Sequence, residues 1–281
     1  MRKLLSDSGF RRVLSAIVFL PIFWLIVKKS GRIPYDLLMG AAATVALFEL
    51  YRLAAARGHR CHRVIGAMVM WLFLAAFLSP VIAIEHALLA GLFIIPLATL
   101  RRGGDWRPAL GDIAATLFAV TFVGVLFGYL IGLRLLDDPP KGEETGSDLV
   151  FLLFFVVWAS DTAAYYTGST IGRTPLAPQV SPRKTVEGAL GGVAGALAAT
   201  FVARAWFMRW LSPLDCVILG PLLGVIGILG DLVESMLKRG AGVKDSASIV
   251  PGHGGILDRV DSVLYAAPVL YYYYLFAMRG H

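Results

Sequence analysis

Long apolar runs recur along this chain and restrict it to a few fold classes. A bilayer-spanning helix needs about 20 predominantly apolar residues, and about nine such stretches can be drawn here. Runs such as FLLFFVVW do not alternate apolar with polar residues, which argues against the strands of a β-barrel. Charged residues make up only 16% of the chain, against about a quarter in soluble domains. The sequence therefore predicts an all-α polytopic membrane protein that forms a single integral domain over residues 1–281.

We expect about nine transmembrane helices, and the first is a retained span because no small-residue cleavage site follows it. The fourth is short and could be re-entrant. The expected spans are Val13–Val27, Tyr35–Leu53, Val64–Ala83, Ala87–Leu100, Ile113–Leu133, Leu149–Ile171, Gly188–Phe207, Leu214–Leu237 and Val260–Met278.

The distribution of basic residues predicts the orientation. With nine spans, most of the 26 Lys and Arg residues fall in loops on the same side as the N-terminus. Cytoplasmic loops carry this excess, so we expect the N-terminus in the cytoplasm and the C-terminus outside. The same bias accounts for the net charge of +7 without nucleic acid, since no basic stripe with interleaved aromatics is present. The loop at 172–185 and the polar segment at 244–262 then face the cytoplasm.

Several ionisable residues lie within the spans, where they are costly and usually functional. Asp161 lies in the sixth span, Asp231 and Lys238 lie near the end of the eighth, and Asp258 and Asp261 lie where the ninth begins. Two carboxylate-bearing helices that meet near the cytoplasmic surface could hold a hard cation. The plainer alternative is that Asp231 and the nearby Glu234 only pair with Lys238, Arg239 or Arg259.

Helical spacing favours a site. Asp231, Ser235 and Lys238 share one helix face, and so do Asp258 and Asp261. The PGHGG turn joins the two segments, and its glycines allow backbone N–H groups to approach an anion. A tight turn alone would also need glycine. Carboxylates that hold a metal beside cationic side chains are what phosphate transfer requires.

A long motif adds a family resemblance. Ser235–Asp261, SMLKRGAGVKDSASIVPGHGGILDRVD, resembles the signature of the phosphatidate cytidylyltransferase (CDP-diacylglycerol synthase) family. SPRKTVEG and SDTAAYYTG are also similar to this family, although Ser169 stands where relatives often carry Lys or Arg. The resemblance covers about the last 130 residues, so residues 149–281 are expected to form the catalytic helices and loops. Residues 1–140 match only as generic spans, with a lipid-facing or dimer-forming role.

The resemblance implies a fold and a reaction. The expected fold is a homodimer of helical bundles in the bacterial inner membrane, each with a polar cavity open to the cytoplasm. The expected reaction joins CTP and phosphatidate, taken from the surrounding membrane lipids, to give CDP-diacylglycerol and pyrophosphate. Mg²⁺ is the implied cofactor, with K⁺ as a candidate second cation.

The resemblance also implies residue roles. Asp231, Asp258 and Asp261 are the expected metal ligands, and with Lys238 they are expected to carry the catalysis. The lipid phosphate is already an anion, so no general base is assigned, and His253 is interpreted as a turn or phosphate contact. The expected substrate-binding residues are Ser235, Arg239, Lys244, Lys184, Ser181, Asp161, His253, Gly254 and Arg259.

Two alternatives stay open. A related transferase could use CTP with a different lipid phosphate, because nothing in the sequence specifies the lipid tail. A secondary transporter would also carry intramembrane carboxylates and broken helices. That class predicts charges near the bilayer midplane and two related halves, and no internal repeat is evident.

Overall fold

The computed structural model describes residues 23–29, 31–136, 145–243 and 255–279, and most of these residues are helical. This confirms the predicted all-α class. The helices are α1 (Arg32–Ala56), α2 (Arg63–Leu78), α3 (Ile84–Arg102), α4 (Ala109–Arg134), α5 (Thr145–Ile171), α6 (Val186–Trp206), α7 (Pro213–Ala241) and α8 (Leu257–Tyr273), which continues as a π-helical turn, Tyr274–Met278. Two short strands, β1 (Pro175–Ala177) and β2 (Ser181–Thr185), lie between α5 and α6.

Six described helices, α1 and α3 to α7, are long and apolar enough to cross a membrane. The chain is therefore an integral membrane protein. Helix α2 has 16 residues and is slightly shorter than the usual span. Helix α8 has 17 residues and continues through the five residues of the π-helical turn. Only the end of the first expected span, the helical segment at 23–28, falls within the described residues. The total of nine spans and the sides on which the termini lie stay predictions.

Two expectations need correction. The fourth span is a 19-residue helix, α3, and is long enough to cross a bilayer. Its apolar run looked short because the helix continues past the charges that seemed to end it, from Glu85 to Arg102. The loop at 172–185 contains an antiparallel hairpin in which Pro175 pairs with Thr185 and Ala177 with Ser181. These strands have no apolar–polar alternation from which a strand is recognised.

The helices that carry the predicted site residues pack as neighbours. Helix α5 packs along α6, α6 packs on α7, and α7 packs on α8. Small residues allow the close approach that helices in membranes require: a Cβ added at Gly195 in α6 would lie 2.5 Å from the Cβ of Ala163 in α5. Helices α1 and α2 pack on α4, and α4 contacts α8. The C-terminal helices thus form the frame of the site, with the N-terminal helices against α8.

Candidate active site

Helices α7 and α8 bring the two predicted carboxylate segments together as an antiparallel pair. Lys238, near the end of α7, contacts Asp258 in the first turn of α8. Further along, a Cβ added at Gly230 would lie 2.8 Å from the carbonyl oxygen of Asp261. The missing side chain at Gly230 lets the helices approach beside Asp231. The predicted meeting of these two helices is confirmed.

The first group of site residues surrounds Lys238. Its Nζ lies 2.7 Å from Oδ1 of Asp258 and also contacts Glu234, one turn earlier on α7. Asp258 accepts a second hydrogen bond, from the backbone N–H of Gly255 at 3.0 Å. The side chain of Glu234 is 2% exposed. Two largely buried carboxylates therefore share one lysine as their cationic partner, and buried charges need such partners.

Sequence reasoning gave Glu234 no role in the site. It appeared only in the plainer alternative, as an ion-pair partner of Lys238, Arg239 or Arg259. The pair with Lys238 exists. Lys238 also contacts Asp258 on α8, and this contact between two helices makes the Glu234–Lys238 pair part of the site.

The second group surrounds Asp231. Lys184 at the end of β2 forms an ion pair with Asp231, and Ser235 Oγ lies 3.4 Å from Asp231 Oδ1. Asp161 of α5 and Asp261 of α8 both interact electrostatically with Asp231 and Lys184. Three carboxylates from three helices thus lie near one lysine. Asp161, which lies alone in the sixth expected span, belongs to this group.

The two groups are separate along the helix pair. Asp231 and Lys238 are seven residues apart, about 10 Å along the axis of α7. Asp258 lies with Lys238, and Asp261 lies with Asp231. Within the described residues, no group of three or more His, Cys, Asp or Glu side chains is arranged to hold a metal ion. These described residues therefore do not form one ligand set of Asp231, Asp258 and Asp261, because Asp258 contacts Lys238 while Asp231 pairs with Lys184.

The remaining predicted residues lie around these groups or outside the described residues. Arg239 Nε donates to the carbonyl oxygen of Val180 at 3.3 Å, which ties the end of α7 to the hairpin. Ser181 begins β2 in the same hairpin, and Arg259 is exposed in the first turn of α8. Lys244, His253 and Gly254 lie outside the described residues.

The site can therefore bind anions beside carboxylates. Three cationic side chains lie near the end of α7 or the end of β2: Lys184, Lys238 and Arg239. The neighbouring carboxylates supply the oxygen ligands that hard cations prefer. Side chains of this kind neutralise phosphate groups and hold the metal ions that accompany them.

Comparison with known proteins points the same way. A family model described as "Cytidylyltransferase family" matches residues 10–277. A phosphatidate cytidylyltransferase of Bacillus subtilis (strain 168) is 38% identical over 266 residues, covering 92% of this chain and 94% of the relative. One from Brucella suis is 35% identical over 264 residues, 92% of this chain and 91% of the relative. One from Synechocystis is 40% identical over 185 residues, covering 58% of this chain and 62% of the relative.

These matches extend beyond the C-terminal motif and cover the helices of the first half as well. This chain belongs to the cytidylyltransferase family and is a nucleotidyltransferase enzyme.

Proposed function

We propose that this protein transfers the cytidylyl group of CTP to phosphatidate, giving CDP-diacylglycerol and pyrophosphate. The relatives with this printed name cover almost the whole chain. The observation that carries the proposal is the pair of lysine–carboxylate groups, Lys238 with Asp258 and Lys184 with Asp231, brought together by α7, α8 and the hairpin. A polar surface of this kind at the end of membrane helices suits one water-soluble and one lipid substrate.

The reaction joins two anions. An oxygen of the lipid phosphate forms a bond to the α-phosphorus of CTP, and the bond from that phosphorus to the oxygen bridging to the β-phosphate breaks. Pyrophosphate leaves with that oxygen, and the lipid phosphate needs no proton removed at neutral pH. The main barrier is charge repulsion, which Lys184, Lys238 and Arg239 would reduce by contacting phosphate oxygens.

The residues around Asp231 fit Mg²⁺. This ion is usually held by one or two carboxylates together with substrate phosphates and water, so a complete set of protein ligands is not required. Asp231 and Asp261 would hold the ion, with Asp161 beside them. Asp258, the other expected ligand, would have to leave Lys238 to join them. When bound, Mg²⁺ supplies positive charge to the phosphate oxygens.

The remaining assignments rest on the family pattern. Ser235 and Ser181 would donate hydroxyl hydrogen bonds to substrate phosphates, and Arg259 would reach them from the exposed side of α8. Lys244, His253 and Gly254 keep their proposed role in substrate binding. K⁺ as a second cation, the homodimer, the bacterial inner membrane and a cytoplasm-facing site are proposed on the same basis.

The function is tested with the purified protein, radiolabelled CTP and a panel of lipid phosphates, with and without Mg²⁺. The panel contains phosphatidate, an ether-linked analogue and a polyprenyl phosphate. We expect a CDP-lipid from phosphatidate only when Mg²⁺ is present. A CDP-lipid from another panel member alone would replace phosphatidate as the substrate, and no CDP-lipid from any panel member would overturn the proposed reaction.

Lys184→Met should raise the KM for CTP. The ion pair with Asp231 positions Lys184 at the carboxylate group, and losing a charge-assisted contact to substrate lowers kcat/KM by about 10- to 100-fold. Arg183→Met is the matched control, because neighbouring residues on a strand point to opposite faces and Arg183 is exposed. Steady-state kinetics with varied CTP provides the measurement. Equal losses in the two variants would contradict a specific role for Lys184.

A further inference from the structure

Glu49 is a buried carboxylate in the part of the chain that the sequence presented as generic spans. It lies in α1 and its relative exposure is 0%. A charged residue inside a membrane helix is costly unless it has partners. Two of its hydrogen-bond partners come from the opposite end of the chain: Oε1 accepts the backbone N–H of Ile256, and Oε2 accepts that of Leu257, both at 2.9 Å.

These two N–H groups belong to the start of α8. The first N–H groups of a helix have no partner within the helix, and a side chain at the N-cap position usually satisfies one of them. The N-cap residue of α8 is Ile256, which has no side-chain acceptor and makes no side-chain cap hydrogen bond. Glu49 supplies both acceptors from α1, and its negative charge suits the positive end of the helix dipole.

The start of α8 also carries the site. Asp258 follows Leu257 directly, and the N–H of Gly255 donates to Asp258 Oδ2 at 3.0 Å. The backbone that Glu49 fixes is therefore the backbone that presents Asp258 to Lys238 and, one turn later, Asp261 to Asp231. A second contact joins α1 to this end of the bundle, from Arg57 to the carbonyl oxygen of Gly240 in α7.

We propose that Glu49 is a positioning residue for the cytidylyl transfer: it caps α8 from α1 and so holds Asp258 and Asp261 at the site. This inference rests on the proposed function. Glu49 acts through the α8 backbone, so its replacement should lower kcat more than it changes the KM for CTP. A 1 Å misplacement of reacting groups can cost about 100-fold in rate.

The test compares Glu49→Gln, which keeps the length of the side chain and removes its charge, with the wild-type protein in detergent. We expect kcat to fall by about 10- to 100-fold. Hydrogen–deuterium exchange should accelerate in peptides covering 255–261 and stay unchanged in α5 and α6. Asp215→Asn is the matched control. Asp215 accepts hydrogen bonds from Ser212 at the start of α7, away from the site, so this variant should keep the wild-type kcat.

Two results would overturn the proposal. One is a wild-type kcat together with wild-type exchange at 255–261. The other is faster exchange throughout the helices with activity lost in proportion to folded protein, which would make Glu49 a general stability residue. If Glu49→Gln gives no folded protein, Glu49→Asp decides on the same two readouts, because it keeps the charge and shortens the reach. If the wild-type protein forms no CDP-lipid, the proposed function fails, while the exchange measurement still tests the cap.

Discussion

Asp231→Asn should lower CDP-diacylglycerol formation by about 1,000-fold, the upper range for removing one electrostatic contact from an active site. Asp231 is the centre of its group: it pairs with Lys184 and interacts with Asp161 and Asp261. Asparagine keeps the size of the side chain and removes the charge. The measurement is the specific activity of purified protein across a Mg²⁺ titration, and Asp105→Asn in the exposed loop after α3 is the control.

Because the Asp231 group and the Lys238 group are separate, replacing aspartates of the two groups should change the Mg²⁺ dependence differently. If Mg²⁺ binds at Asp231 and Asp261, then Asp231→Asn and Asp261→Asn should both raise the Mg²⁺ concentration needed for half-maximal activity. Asp258→Asn should lower activity with little change in that concentration, since Asp258 holds Lys238. An equal Mg²⁺ response in all three variants would show that Asp258 is also a metal ligand. Full Mg²⁺-dependent activity in Asp231→Asn would refute the metal assignment.

Lys238→Met should abolish activity and also destabilise the protein. Glu234 and Asp258 would lose the cation they share, and breaking a buried ion pair by removing one partner costs about 3–5 kcal/mol. The lysine side chain is 14% exposed, so water replaces little of the lost interaction. Thermal unfolding in detergent and the specific activity of the folded protein measure the two effects. Arg209→Met, which removes an exposed cation after α6, is the matched control.

A second substitution separates the two roles of Lys238. Glu234→Gln in the Lys238→Met background removes the charge of one of the two carboxylates that lost Lys238, so we expect part of the lost stability to return. Activity should not return, because no cation would be left to meet the phosphate at this position. Recovery of activity in the double variant would contradict a direct role for Lys238. Unchanged unfolding in the single variant would contradict its role in neutralising the carboxylates.

The helices and most of their limits could be predicted from the sequence because apolar runs of this length have few other solutions in a bilayer. The spacing of Asp231 and Ser235 predicted their shared face, and they lie on one. The hairpin at 175–185 was missed because its strands are too short and polar to show a period of two. The full length of α3 was missed because charges near its ends resembled the limits of a span.

The grouping of the site charges could not be read from spacing. Helical periodicity places Asp258 and Asp261 on one face of α8, but it does not say which residue of α7 lies opposite each of them. The antiparallel packing of α7 on α8, close at Gly230, decides that Asp258 meets Lys238 and Asp261 approaches Asp231.

The sequence by itself determined the membrane-helical class, the carboxylate and lysine inventory of the site and the family resemblance, because these depend on composition and on local spacing. Only the tertiary structure decided which lysine neutralises which carboxylate, and that Glu49 caps a helix more than 200 residues away. The physical reason is that contacts between distant segments depend on how the helices pack, and no periodicity along the chain records that packing.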